Sequence, residues 1–361
     1  MDEQTKKEIL DKVQMLLQIA REQGASDVHF APGSWMMVRV DGGLVPAGEE
    51  KFMPDAINEM AQAMLREDQY RELERTGEID LAHTIPGFGR MRINVFRQRG
   101  TYAMAIRILS YEIPDAEALG LPDVVKSLAD RTRGLVLVTG ATGSGKSTTL
   151  AALIHHINMT YSKHIITLED PIEYLHKHQK SMVTQREMGL DSLSYAHALR
   201  AALREDPDVI LVGEMRDLET IATAMTAAET GHLVFSTLHT NDAASAIDRV
   251  IDVFPPHQQQ QIRIQLANVL EGVVAQQLMP REDEEGRIAV FEVMLANTAI
   301  RNLIREGKTF QIPTIMQTSK RDGMICMDDA IFELYQQNTI SKETAVRFSL
   351  DPIQMGRKVG M

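Results

Sequence analysis

Between residues 6 and 23 the apolar side chains Ile9, Leu10, Val13, Leu16, Leu17 and Ala20 recur three and four positions apart, one face of a helix, and Gly24 follows as a stop. From Asp27 to Phe96 the pattern shifts to short strand-like runs around two helical stretches, with turn chemistry at Asp41-Gly42-Gly43 and Pro86-Gly87-Phe88-Gly89. This predicts a small α/β domain with a largely antiparallel sheet. In Gly89-Arg90-Met91-Arg92-Ile93-Asn94-Val95, strand alternation puts Arg90, Arg92 and Asn94 on one face and Met91, Ile93 and Val95 on the other, and Arg107 ends the next strand. The segment from Tyr111 to Pro122 holds two prolines, a glycine and several acids, and reads as a linker. Beyond it, Leu135–Val138, Val209–Val212 and Leu233–Phe235 are continuous apolar runs separated by helical stretches, the signature of parallel strands buried on both faces. From about Leu295 onward the pattern is almost wholly helical.

The first of these buried runs carries the chemistry. Leu135 to Thr139 leads into Gly140-Ala141-Thr142-Gly143-Ser144-Gly145-Lys146-Ser147-Thr148, and the helix-forming Leu150 to Ile154 follows. That order, strand, G-x-x-x-x-G-K-[ST], helix, is a P-loop. Its glycines let successive backbone N–H groups converge on phosphate oxygens, and the helix N-terminus adds partial positive charge. Lys146 is expected to reach the β- and γ-phosphates of ATP, and Ser147 to hold Mg²⁺.

Acids and histidines close the next strands. Val209 to Gly213 ends at Glu214, where a parallel sheet presents its C-terminal edge to a nucleotide, so Glu214 is expected to polarise the attacking water. The usual metal-linked aspartate is missing from that strand. Glu169 and Asp170, after Ile165 to Leu168, are the expected substitute. Gly231 to Thr240 carries His232 and His239, of which His239 is the better sensor of the γ-phosphate and His232, at the strand start, has a structural alternative. For Arg90, Arg92 and Arg107 two readings stand: a solvated sheet face, or arginines supplied to a neighbouring subunit's ATP.

Composition narrows the class. The 361 residues suggest two domains, and the net charge of −12 argues against a stable nucleic-acid partner, whose binding rests on Lys and Arg. No apolar run has membrane-spanning length and the N-terminus lacks a signal-peptide core, so a cytoplasmic protein is expected. The single cysteine, Cys326, makes no internal disulfide, and no Cys/His group has zinc-site spacing.

With these residues in view the chain resembles the secretion-superfamily ATPases, and within them the pilus retraction (twitching motility, PilT-type) family. The marks are GASDVHF at Gly24 to Phe30, the cradle, EDPIEY at Glu169 to Tyr174, LREDPDVILVGEMRDLET at Leu203 to Thr220, TGHLVFSTLHT at Thr230 to Thr240, and AIRNLIRE at Ala299 to Glu306. The resemblance implies an α/β protein with a PAS-like N-terminal domain (1–112), a linker (113–122) and a RecA-like ATPase domain (123–361), helical from about 295. It further implies a homohexameric ring, nucleotide between one subunit's cradle and the next subunit's small domain, and a motor working on an inner-membrane pilus platform protein, with peripheral membrane association. Type II secretion and pilus-assembly relatives typically carry a four-cysteine zinc insertion, which this sequence lacks; they, an accessory retraction ATPase and a non-hydrolysing scaffold are the alternatives. In AIRNLIRE, Ile300, Leu303 and Ile304 form an apolar helix face, while Arg301 and Arg305 are expected to transmit ring motion or contact a partner.

Overall fold

The computed structural model describes residues 2–40, 43–85, 88–109, 113–284 and 286–361. The predicted turn residues Asp41, Gly42, Pro86 and Gly87, and Tyr111 and Glu112 of the predicted linker, lie outside the described residues. The chain divides into two compact units, one of residues 1–112 with 173–175, the other of 113–172 with 176–361.

In the first unit, α1 (Glu3–Glu22) begins where the Asp2 side chain accepts the Thr5 N–H, and buries Val13, Leu17 and Ala20. There follow β1 (Asp27–Phe30), β2 (Trp35–Val40), β3 (Gly43–Lys51), α2 (Pro54–Met64), α3 (Glu67–Thr76), β4 (Glu78–Ile85), β5 (Gly89–Gln98) and β6 (Thr101–Ile108). The six strands form one antiparallel sheet in the order β3-β2-β1-β6-β5-β4. Along β5 the expected alternation holds: Met91, Ile93 and Val95 are fully buried, and Arg92 is exposed on the other face.

The second unit contains α4 (Asp123–Leu128), β7 (Gly134–Thr139), α5 (Lys146–Thr160), β8 (His164–Glu169), β9 (Met182–Glu187), α6 (Tyr195–Ala202), β10 (Val209–Val212) and α7 (Leu218–Glu229). It continues with β11 (Leu233–Leu238), α8 (Ala243–Asp252), α9 (Pro256–Val269), β12 (Leu270–Pro280), β13 (Arg287–Leu295) and α10 (Thr298–Glu306). The chain closes with α11 (Ile312–Thr318), α12 (Met327–Gln336), α13 (Lys342–Phe348) and α14 (Pro352–Val359). The sheet order is β13-β12-β7-β11-β10-β8-β9, parallel except for the β12–β13 pair. Every residue of β7, β10 and β11 is buried. Alternate residues of β7 enter different cores, Leu135 and Leu137 on one face and Val136 and Val138 on the other, which explains why the run is continuously apolar.

Two sequence expectations change. Residues 113–122 do not stand apart as a linker, because Ala116 and Leu121 are buried in the core that holds Val136 and Val138. The sheet also gains β12 and β13, a hairpin whose Gln276 and Glu292 interrupt otherwise apolar patterns and are nonetheless buried.

Candidate active site

Parallel pairing sets the C-terminal ends of β7, β11, β10 and β8 side by side, so the segments that follow them meet at one edge. After β7 comes the cradle. Gly140 and Gly145 both have positive φ, and a Cβ at either would collide with Gln276 of β12: 2.3 Å from its backbone oxygen at Gly140, 2.8 Å from its side-chain nitrogen at Gly145. The loop is thus pressed onto β12. Gln276 Oε1 also accepts the Thr149 hydroxyl at 2.7 Å, fixing the first turns of α5 against the same strand. Gln276 lies 127 residues from Thr149 in the chain, and nothing local in the sequence marks it.

Lys146 is buried, and its ammonium donates to the carbonyls of Gly140 (2.8 Å) and Ala141 (3.0 Å), which hold it across the mouth of the loop. The Ser144 hydroxyl is buried with no hydrogen-bond partner among the described residues. Ser147, in the first turn of α5, is exposed. Beside residues 141–144 opens a cavity of about 410 Å³, closed on its other side by Arg287, Arg347, Phe348 and Leu350. Its size and its mix of cations and apolar side chains suit a nucleotide held by its phosphates at the loop.

The acids expected at this edge are there. Glu214 follows β10, and its Oε1 lies 3.1 Å from His239 Nε2, the ring that follows β11; Arg216 also pairs with it. Thr139, at the last position of β7, exchanges hydrogen bonds with Thr240: its hydroxyl lies 2.7 Å from the Thr240 carbonyl and accepts the Thr240 N–H at 2.9 Å. The loop carrying His239 is therefore tied to the strand that carries the cradle. Glu169 accepts the Thr167 hydroxyl at 2.6 Å and the Gln185 amide at 3.1 Å, and Asp170 next to it is exposed. The Tyr195 phenol is pushed above its ordinary pKa, first by burial and then by the charges of Asp170, Glu214 and Glu169. It marks where the three acids converge. A Cβ at Gly213 would come within 2.8 Å of the Tyr195 hydroxyl, so the glycine before Glu214 makes room for it.

A metal fits this edge only as a hydrated ion on phosphate. Among the described residues no group of three or more His, Cys, Asp or Glu can cage one. Mg²⁺ asks little of the protein, one or two oxygens beside waters and phosphates, and the exposed Ser147 hydroxyl, with Glu169 and Glu214 at the same sheet edge, would meet that need.

His232 is not brought to this edge. It precedes β11, at the opposite end of the strand from His239, and its Nδ1 lies 2.9 Å from the Ala227 carbonyl in α7. The motif spans a whole strand, so its two histidines serve opposite ends. In the first unit Arg92 and Arg107 stand directly opposite each other on β5 and β6; Arg107 pairs with Asp27 at 2.8 Å and Arg92 lies 3.7 Å from Asp80, while Arg90 lies two positions before Arg92 on the same face.

Arg301 and Arg305 both make bonds within the chain. Arg301 donates to the carbonyls of Ala267 (2.6 Å) and Asn268 (3.0 Å) and pairs with Glu271 at 3.0 Å, while Arg305 donates to the side chains of Asn302 and Asn268. The last carbonyls of a helix lack intrahelical donors, and α9 ends at Val269, so α10 caps α9 with Arg301. Ile300 and Ile304 are buried as expected, and Leu303 packs partly buried beside them.

Over residues 2–345 the chain matches the family described as type II/IV secretion system protein. The chain belongs to that family. Among this family's proteins, the type IV pilus retraction ATPase PilT of Pseudomonas aeruginosa is 44% identical over 330 residues, 91% of this chain and 96% of that protein. A twitching motility protein of Neisseria gonorrhoeae is 43% identical, over 89% of this chain and 88% of its own length. The crystal structure of the pilus retraction motor PilT with bound ADP superposes with a TM-score of 0.90 at 48% identity, covering 96% of this chain and 99% of that one. The secretion-family fold is therefore shared over 96% of this chain.

Proposed function

We propose that this chain is a cytoplasmic, Mg²⁺-dependent ATPase that works as a ring, a homohexamer, and powers retraction of a type IV pilus through a platform protein in the inner membrane. The observation that carries the enzymatic part is the joining of Glu214 and His239, 3.1 Å apart, to the Lys146 cradle through the Thr139–Thr240 bonds. Lys146 leaves its two carbonyls for the β- and γ-phosphates, and the cradle N–H groups and the Ser144 hydroxyl take up phosphate oxygens. Ser147 would hold Mg²⁺, which when bound would supply positive charge to the phosphates. Glu214 accepts a hydrogen bond from the attacking water, and His239 on the same carboxylate keeps it oriented. Asp170 and Glu169 would add negative charge beside that ion. Arg90, Arg92 and Arg107 supply positive charge to a neighbouring subunit's nucleotide.

The pilus role is supported by the names of relatives that align over nearly their whole length. The test is steady-state ATP hydrolysis with parallel nucleotide-binding measurements on the purified chain. Glu214→Gln is expected to bind ATP normally and lose a factor of about 10² or more in turnover. Unchanged turnover in that variant, with Glu169→Gln inactive, moves the water-activating role to Glu169.

A further inference from the structure

Glu292 lies in the middle of β13, within the apolar run from Val290 to Met294, and is only 4% exposed. One carboxylate oxygen accepts the N–H of Ala243, the first residue of α8, at 2.7 Å; the other accepts that of Met327, the first residue of α12, at 2.9 Å. Ala243 comes three residues after Thr240, which is bonded to Thr139 at the root of the cradle. Met327 is followed by Asp328, whose two oxygens accept the N–H groups of Leu350 (2.6 Å) and Asp351 (3.0 Å). Leu350 stands with Arg347 and Phe348 in the cavity wall facing residues 141–144. Two carboxylates in series thus connect both sides of the cavity.

We infer that Glu292 is the positioning residue of the nucleotide cavity, holding the loop that carries His239 and the wall that carries Arg347, Phe348 and Leu350 in one frame. The inference rests on the ATPase reading given above. An apolar residue here would continue the pattern of β13 but strand two helix-terminal N–H groups inside the protein. Only an ionised carboxylate offers an acceptor to both, since an amide or a protonated carboxyl turns one side of the group into a donor.

The frame is therefore sensitive to protonation. Burial pushes Glu292 up to about 7, against the lowering effect of the Ala243 and Met327 N–H groups, and Asp242 and Asp328 push the same way as burial. Facing it across a second cavity of about 180 Å³ are Asp242 before α8, Cys326, Asp328 and Asp329 at the start of α12, and Lys358 from α14. Lys320 and Lys358 both reach Asp329, and burial pushes the Cys326 thiol up to about 12, leaving it neutral.

The test is the dependence of ATP hydrolysis on ATP concentration from pH 6 to 8.5, for the full wild-type chain, Glu292→Gln and Asp328→Asn, each checked for fold and assembly. Glu292→Gln is expected to raise KM for ATP about tenfold at pH 8, the size of one lost hydrogen bond to a charged group, with kcat falling less than about threefold. Wild-type KM is expected to rise toward the variant's value as pH falls through 7, while the variant's stays level. A folded Glu292→Gln with wild-type KM, or one that keeps the wild-type pH dependence, overturns the inference. If Glu292→Gln does not fold, Asp328→Asn decides at pH 8, where Glu292 is ionised with or without the Asp328 charge: the amide keeps an acceptor for only one of the Leu350 and Asp351 N–H groups, so a raised KM supports the inference and a wild-type KM overturns it. A wild-type chain that hydrolyses no ATP refutes the ATPase reading and the inference together; an active wild type beside an indifferent Gln variant refutes the inference alone.

Discussion

Lys146 carries the cradle's positive charge, and removing it leaves the β- and γ-phosphates facing backbone donors alone. Lys146→Ala is therefore expected to lose ATP binding by about two orders of magnitude or more while keeping its fold, readable by titration with a fluorescent nucleotide and by circular dichroism. Gly145 makes a different point: its φ is +89°, which side chains rarely adopt, and a Cβ placed there would sit 2.8 Å from the Gln276 amide nitrogen and push it aside. Gly145→Ala should weaken nucleotide binding while Lys146 stays in place, and an alanine variant that binds normally would show that the loop does not depend on its contact with β12. The nine cradle residues are legible in the sequence because their chemistry is contiguous. Glu214 and His239 are legible as ends of buried strands, though their contact is not. Gln276 and Tyr195 are invisible there, each acting on residues far away in the chain, whereas the position of His232 at the start of its strand already sets it apart from His239.

At the scale of elements, AIRNLIRE shows itself in the sequence as a helix with an apolar face but hides the task of Arg301, because the carbonyls it caps belong to another helix, more than thirty residues earlier. Arg301→Ala should lower unfolding stability by about 1.5–3 kcal/mol, the range for hydrogen bonds to a charged group, and Arg305→Ala by less, since its partners are exposed amides. Chemical denaturation of both variants checks this order; equal, negligible losses would return Arg301 to a role outside the unit. Residues 113–122 teach a similar lesson: two prolines and a glycine punctuate the chain, but Ala116 and Leu121 still find a core to fill.

One buried group gives the stability of the second unit a pH dependence. Burial depresses His176 to about 4, with the charge of His155 acting in the same direction, and its Nδ1 is buried without a hydrogen-bond partner. A histidine held below its unfolded value of 6.5 contributes stability that is complete above pH 6.5 and lost as pH falls toward 4. Across that window its own contribution should approach a slope of about 1.4 kcal/mol per pH unit, reduced by partial solvation, and His176→Gln should flatten the curve relative to wild type. Parallel curves for the two proteins would remove His176 as the cause.

For the whole molecule the claim is that ATP turnover at the β7–β11–β10 edge drives removal of pili from the cell surface. The most direct measurement replaces the chromosomal gene with Glu214→Gln, at matched protein levels, and counts surface pili by electron microscopy alongside surface motility. The account predicts abundant pili and lost motility, as pili are assembled and not withdrawn. Normal pilus numbers with normal motility, in cells whose Glu214→Gln protein is shown to be hydrolytically dead, would contradict it.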